Sequence, residues 1–532
     1  AESDRPIHFE TEPTMALRDF RLYLLLAIAA AARLLLQMSA LPPYAGLDEI
    51  YHVSRLAFVL QEGRNPSIDE KSIPMYLAST MAGDPARMPD FGGVGPAWPQ
   101  IVKTRRVLID HAVGRDYVRS NIESQQPRLY YSLVGRAARM LTDRTQMSEL
   151  RFWRFASVLF AFGIVMATAR MGQTFFGPRG IVAAALLVSL PTWLTLVVRA
   201  SNDAFACALL ATALACSAGG LAGCSAGGSP ANGFYATGAG RRPAEQPAGR
   251  RRYEALAIAV EAIAWALALA AKLYTWPIFV AALIFWRRQR ASVPRVVAVI
   301  AASAISVALT IADLISRTHN PLGILAFDPA TRASAPEPIR IFEMIKITIA
   351  SGIWASGQHW NALTPAGMIL FAFPLLVMIV LGIARSPHRD VVFATVVAFA
   401  AAQLVHAAGY IRRARAAGLP LPAAGKEGWF WYALAPLVVA TIFPATPLPL
   451  MACWLIGWDV VIHEGALFHD FAGVTSPATP SWLFRWGPLH APFTADLSHV
   501  AVGPFVSQMI ALRMIHVVAV LALSYDALRR RN

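Results

Sequence analysis

The chain of 532 residues is 56% hydrophobic and only 15% charged, with a mean hydropathy of +0.48. A soluble core does not need that much apolar residue, and the repeated apolar runs of roughly 17–25 residues fit bilayer spans. A membrane segment must satisfy its own backbone hydrogen bonds, so the expected class is an all-α polytopic membrane protein; short alternating segments that would suggest a β-barrel are missing. Net charge is +15, yet the arginines gather in short connections (170–179, 241–252, 286–295, 385–389 and 529–531) rather than in a basic stripe interleaved with aromatics. That pattern argues against nucleic-acid binding and, by the positive-inside rule, places these connections in the cytoplasm. The cysteines, Cys207, Cys216, Cys224 and Cys453, lie in or beside apolar runs and form neither a disulfide framework nor a zinc-ligand spacing.

In chain order, residues 1–20 read as a cytoplasmic leader. A first span at about 21–40 opens a module that runs to residue 290 and contains a large extracytoplasmic loop, 41–149. Within that loop the apolar positions Ile50, Val53, Leu56, Ala57 and Leu60 predict an amphipathic helix with Gly63 as its stop, and 125–134 predicts a second interfacial helix. Spans follow at about 150–170, 180–198 and 204–218, and 218–252, rich in Gly, Ala, Pro and Arg, reads as a flexible cytoplasmic loop. A hairpin of spans at 253–271 and 274–287 carries Lys272 at its outer tip. The C-terminal module, 291–532, has spans at about 293–315, 364–384, 391–411, 430–446, 448–463 and 507–527, with outer loops 316–363 and 464–506. The total is about 12 transmembrane helices (11–13), both termini inside.

The chemistry-bearing residues cluster on the predicted outer face. Asp48 and Glu49 follow the first span, and a carboxylate held where a helix leaves the lipid can act on a lipid-linked substrate from the water side. Asp48 also suits a helix N-cap, and Asp203, in Ser201-Asn202-Asp203, has the same alternative. His52 lies one turn beyond Asp48, as a substrate contact or a hydrogen-bonded surface group. Lys272 is a cation at the end of an apolar hairpin, costly there unless it pairs or snorkels to lipid phosphate. Glu261, Asp313 and Asp459 fall in or near spans without assignable partners. Ser351–Trp360 offers either a sugar-stacking platform or an interfacial aromatic helix, and His463, Glu464, His469 and Asp470 offer a weak metal pattern.

Asp48-Glu49-x-x-His52, Gln126-Pro127-x-Leu129-Tyr130-Tyr131, Arg154 opening the second span, Asn202-Asp203 after the third and Lys272 at a hairpin tip occur in an order that resembles the GT-C superfamily of membrane glycosyltransferases. The likeness is to bacterial polyprenyl-phosphate-sugar transferases of the aminoarabinose and protein mannosyl type. It covers roughly residues 20–290. It implies a multi-pass protein of the bacterial inner membrane that moves a sugar from a polyprenyl phosphate to an acceptor hydroxyl of a glycan, lipid or protein outside the cytoplasm, with inversion. Such a reaction needs a carboxylate base and cations for the departing phosphate. The expected catalytic set is Asp48 as base with Glu49 and Asp203; the phosphate set is Lys272, Arg154 and Arg128; the substrate contacts are His52, Asn202, Gln126, Tyr130, Tyr131 and Lys426. No obligatory metal is expected, although Asp48, Glu49 and Asp203 could together hold a divalent ion. The chain departs from the pattern at Gly425-Lys426-Glu427-Gly428, where relatives carry an arginine, and at Arg128, where many have proline or a small residue. A polytopic lipid or solute transporter is the alternative, and Asp48→Asn would discriminate.

Overall fold

The computed structural model describes residues 13–40, 49–75, 77–78, 116–142, 146–225, 248–272, 275–288, 291–319, 321, 361–363, 365–401, 433–459, 484–486 and 502–529. Among these the architecture is all-α and polytopic, with two short antiparallel strand pairs, Lys71–Pro74 with Tyr117–Ser120 and Asn361–Leu363 with Phe484–Trp486.

The helices are α1 (Pro13–Ala40), α2 (Glu49–Glu62), α3 (Leu129–Leu141), α4 (Gln146–Phe176), α5 (Pro178–Ala185), α6 (Pro191–Val198), α7 (Asn202–Ser225), α8 (Ala248–Ala271), α9 (Thr275–Arg288), α10 (Val293–Thr318), α11 (Pro365–Arg385), α12 (389–401), α13 (Ala435–Thr441), α14 (Leu448–Asp459) and α15 (Val502–Arg529). Four described helical segments, 19–39, 148–176, 202–219 and 293–318, are long and apolar enough to cross a bilayer, and six shorter apolar helices accompany them. The described parts of the segment 41–149 pack on one end of this bundle through α2 and α3.

Three findings depart from the sequence expectation. The span expected at 180–198 is broken into α5, a 3-10 turn at Leu187–Ser189, and α6. Pro191 is the cause: it donates no N–H and disfavours helical backbone at the residue before it, and Leu190 is extended (φ −87°, ψ 107°). Second, α2 is buried on nearly every side, Glu49, His52, Ser54 and Arg55 included, rather than showing one polar face to water. Its stop is as expected: Gly63 adopts φ +74° and its N–H closes on the Val59 carbonyl at 2.9 Å, a left-handed helix end that glycine adopts without strain. Third, α7 runs on to Ser225 and α8 begins at Ala248, so helix enters the stretch expected as loop from both sides.

α4 and α5 approach closely, and a Cβ built on Gly180 would stand 2.0 Å from the Gly172 carbonyl carbon. No other residue type allows backbones so close. Buried ion pairs staple the bundle elsewhere. Asp459 of α14 accepts from Arg33 of α1 at 2.9 and 2.8 Å and from Arg513 of α15 at 2.6 Å. Glu261 of α8 accepts from Arg295 of α10 at 2.6 and 3.0 Å, and from Ser217 of α7 at 2.6 Å. Asp313 pairs with Arg317 one turn on, at 2.7 Å, and with Arg128 at 3.3 Å. These are the partners that the three intramembrane acids lacked in the sequence. Ionised groups away from water are tolerated when paired and hydrogen-bonded in this way.

Candidate active site

One end of the bundle gathers charge from several elements. Glu49, in the first turn of α2, is fully buried and accepts two hydrogen bonds from Arg154 of α4, Nε to Oε1 at 2.8 Å and Nη2 to Oε2 at 2.6 Å. The Ala200 backbone N–H donates a third at 2.9 Å. The planar guanidinium matches a carboxylate edge, and such two-pronged charged pairs are the strong ones. Glu49 thereby ties the start of α2 to α4 and to the segment leading into α7, three residues before Asp203.

Asp203 sits in the first turn of α7, 1% exposed, and its carboxylate is held by Arg199 and by the Lys272 ammonium. Lys272 follows α8 directly, so the hairpin tip delivers it, and it also donates to Asn202 Oδ1 at 3.0 Å. Ser201 supplies the cap: its hydroxyl accepts from the Asp203 N–H at 3.3 Å and donates to Oδ2 at 3.2 Å. Within Ser201-Asn202-Asp203 the capping is thus carried by Ser201, and the Asp203 carboxylate receives the cations as well as the Ser201 hydroxyl.

A third group lies between α2, α3 and the 3-10 turn Ile122–Gln125. His52 Nδ1 is 2.7 Å from the Tyr131 hydroxyl, which donates to Glu123 Oε2 at 3.2 Å; His52 and Glu123 are 3.4 Å apart. Asn121 orients the turn, accepting from the Glu123 N–H at 3.0 Å and donating to the Tyr51 carbonyl at 2.8 Å. Arg55, fully buried, donates to the carbonyls of Glu123 and Gln126 and stacks over the Tyr131 ring at 3.8 Å. Arg317 of α10 donates to the carbonyls of Ser124 at 2.7 Å and Gln126 at 3.2 Å. Two guanidiniums thus fix one turn. Burial lowers the Arg55 guanidinium to about 9, still protonated at neutral pH, and burial raises both Tyr130 and Tyr131 above the ordinary phenol range, so both are neutral hydroxyls.

Of the residues singled out in the sequence, Glu49, His52, Tyr130, Tyr131, Arg154, Asn202, Asp203 and Lys272 therefore lie at one end of the bundle, all of them buried except Lys272, which is partly exposed. Tyr130 packs edge-on against Tyr131, ring centroids 5.2 Å apart. Gln126 contributes its backbone carbonyl to the two arginines. Arg128 stands apart: its side chain is 64% exposed and leans on Asp313. Asp48, Lys426, the 351–360 stretch and the His463–Asp470 pattern lie outside the described residues. The sequence does not mark Arg199, Glu123 or Arg55 for a role: Arg199 shares the Asn202-Asp203 segment, whereas Glu123 and Arg55 carry no pattern that marks them.

Of the three carboxylates that could together hold a divalent ion, Glu49 receives Arg154 and a backbone N–H and Asp203 receives two cations and a hydroxyl, while Asp48 lies outside the described residues. Among the described residues no three His, Cys, Asp or Glu side chains stand together as a metal site requires.

Together, helices and site define a polytopic α-helical membrane protein with a charged polar centre at one end of its bundle. No family model matches the chain, and no curated protein matches it. Among solved structures it is similar to the crystal structure of ArnT from Cupriavidus metallidurans bound to undecaprenyl phosphate, at 12% identity over 86% of this chain and 77% of that chain, with a TM-score of 0.39. A likeness that loose carries no residue-level correspondence.

Proposed function

We propose that the chain is a GT-C-type membrane glycosyltransferase, moving a sugar from a polyprenyl phosphate to an acceptor hydroxyl on the extracytoplasmic side, with inversion. The observation that supports it is the approach of Glu49 from the start of α2, Asn202 and Asp203 from the start of α7, and Lys272 from the end of α8 to one polar centre. Asp48 is the general base, and Glu49 beside it acts as the clamp that secures the start of α2 to Arg154 and Ala200. Arg154 is accordingly the cation of that clamp. The phosphate falls to Lys272, whose ammonium has three donors and can keep Asn202 and Asp203 while binding a phosphate oxygen. Attack by the acceptor oxygen on the anomeric carbon breaks the bond to phosphate, and the positive charge of Lys272 stabilises the developing phosphate charge. The protein resides in the bacterial inner membrane.

The test is transfer in liposomes containing a polyprenyl-phosphate sugar and a hydroxyl acceptor. Asp48→Asn keeps the side-chain shape and should reduce turnover by about 10²–10⁴-fold, the usual weight of a general base. Undiminished turnover would remove Asp48 from that role, and vectorial movement of lipid without any transfer would instead favour the transporter.

A further inference from the structure

Away from the polar centre, a recess of about 490 Å³ lies between α4, α7 and α8. Small residues make the room for it. On α7, Thr212, Ala215, Cys216 and Gly219 follow one another at i, i+3, i+4 and i+7, the spacing of a single helix face, and α4 adds Ala167 one turn before Arg170. Leu256 and Val260, exposed and one turn apart on α8, form an apolar third wall. A Cβ built on Gly219 would meet nothing within 4 Å, so the recess reaches the α7 backbone there. Its depth follows from the three helices. Arg170 stands sixteen residues beyond Arg154, Gly219 sixteen beyond Asp203, and Leu256 sixteen before Lys272. At about 1.5 Å per residue, all three lie about 24 Å along their helices from the polar centre. A hydrocarbon core is about 30 Å thick, so this end of the recess approaches the opposite membrane interface, while Thr212 and Val260, at about 14 and 18 Å, lie deeper in the lipid.

Arg170 is the charged residue of this lining. Its Nη1 donates to Gln173 Oε1 at 3.3 Å, a neutral partner, and among the described residues no carboxylate pairs with it. Arg33, Arg154, Arg295 and Arg513, by contrast, each grip a buried acid. Arg250, Arg251 and Arg252 open α8 just before Leu256 and add positive charge to the same end. Of the acids close by, Glu261 is taken by Arg295, and Asp19 accepts from the Gln173 amide. We propose that the recess binds an anionic glycerophospholipid of the leaflet opposite the polar centre, its phosphate on Arg170 and an acyl chain along the walls toward Thr212 and Val260. A guanidinium matches phosphate oxygens with parallel hydrogen bonds, and basic pockets between membrane helices suit such head groups. A water-soluble anion would leave the apolar walls uncovered, and a neutral lipid would leave the arginine unused. The volume falls within the roughly 300–1,000 Å³ of small-molecule sites. This site is independent of the transferase reading.

The experiment is native mass spectrometry of the full chain released from nanodiscs of phosphatidylcholine with a minority of phosphatidylglycerol. The native protein should retain one phosphatidylglycerol in preference to phosphatidylcholine. Arg170→Gln should lower that retention by roughly 5-fold, the weight of one arginine at an anionic surface. Gly219→Leu fills the recess from α7 and should abolish it although Arg170 is still present; Ala167→Leu fills it from α4 and gives the same reading if Gly219→Leu fails to fold. Equal retention of the two lipids by the native protein overturns the proposal. So does loss in Arg170→Gln with full retention in the filled variants, which would mean an arginine that merely snorkels to bulk lipid phosphate. A polyprenyl phosphate that displaces the phosphatidylglycerol and is itself lost in Gly219→Leu would give the recess to that lipid and overturn it as well.

Discussion

Replacing Glu49 by alanine separates its structural from its chemical weight. The substitution deletes two charge-assisted hydrogen bonds from Arg154 and one from the Ala200 N–H, and takes from a guanidinium that is only 6% exposed the carboxylate it grips at two points. Charged hydrogen bonds contribute about 1.5–3 kcal/mol each, and breaking one side of a buried pair costs about 3–5 kcal/mol, most of it the stranded partner. Glu49→Ala should therefore lose about 3–5 kcal/mol in SDS-driven unfolding in mixed micelles. Glu49→Leu combined with Arg154→Met replaces the pair with apolar volume and should recover most of that loss, because the stranded charge has gone. A double-mutant cycle then gives the coupling. If Glu49→Ala costs less than about 1 kcal/mol, or if the double variant is as unstable as the sum of its parts, the clamp is not what secures the start of α2.

Two further predictions concern the bundle. Gly180→Ala forces a Cβ into the Gly172 backbone and should destabilise by about 3 kcal/mol, the upper range of overpacking, whereas Gly163→Ala on the same helix as Gly172 meets nothing within 4 Å and should be neutral or stabilising by up to about 1 kcal/mol; paired unfolding curves check both. Asp459→Asn removes the charge between Arg33 and Arg513 and should cost about 3–5 kcal/mol in the same assay, with no greater effect on transfer than its loss of folded protein explains.

The positions of the long apolar helices are legible in the sequence. Hydropathy marks α1, α4, α7 and α10 because lipid imposes length and apolarity on each span separately, and Lys272 stands out because a cation at an apolar hairpin tip demands a partner. Pairings were not legible. Asp459 meets an arginine 426 residues away in sequence, and Glu123 is one acid among several in a polar loop until the turn that aims it is seen. Glu49 looked like a second catalytic carboxylate because the sequence does not show that Arg154 and Ala200 converge on it. The break at Pro191 was visible as a proline, but an apolar run of the right length outweighed it.

Native mass spectrometry of the protein extracted with its own lipids tests the central reading most directly. The native chain should carry a polyprenyl phosphate or its glycosyl form, and Lys272→Met, folded by its unfolding curve, should lose it by 10-fold or more, since a buried phosphate would lack its cation. Retention of bulk phospholipids alone by the native protein, or equal retention of the polyprenyl lipid by Lys272→Met, would contradict it.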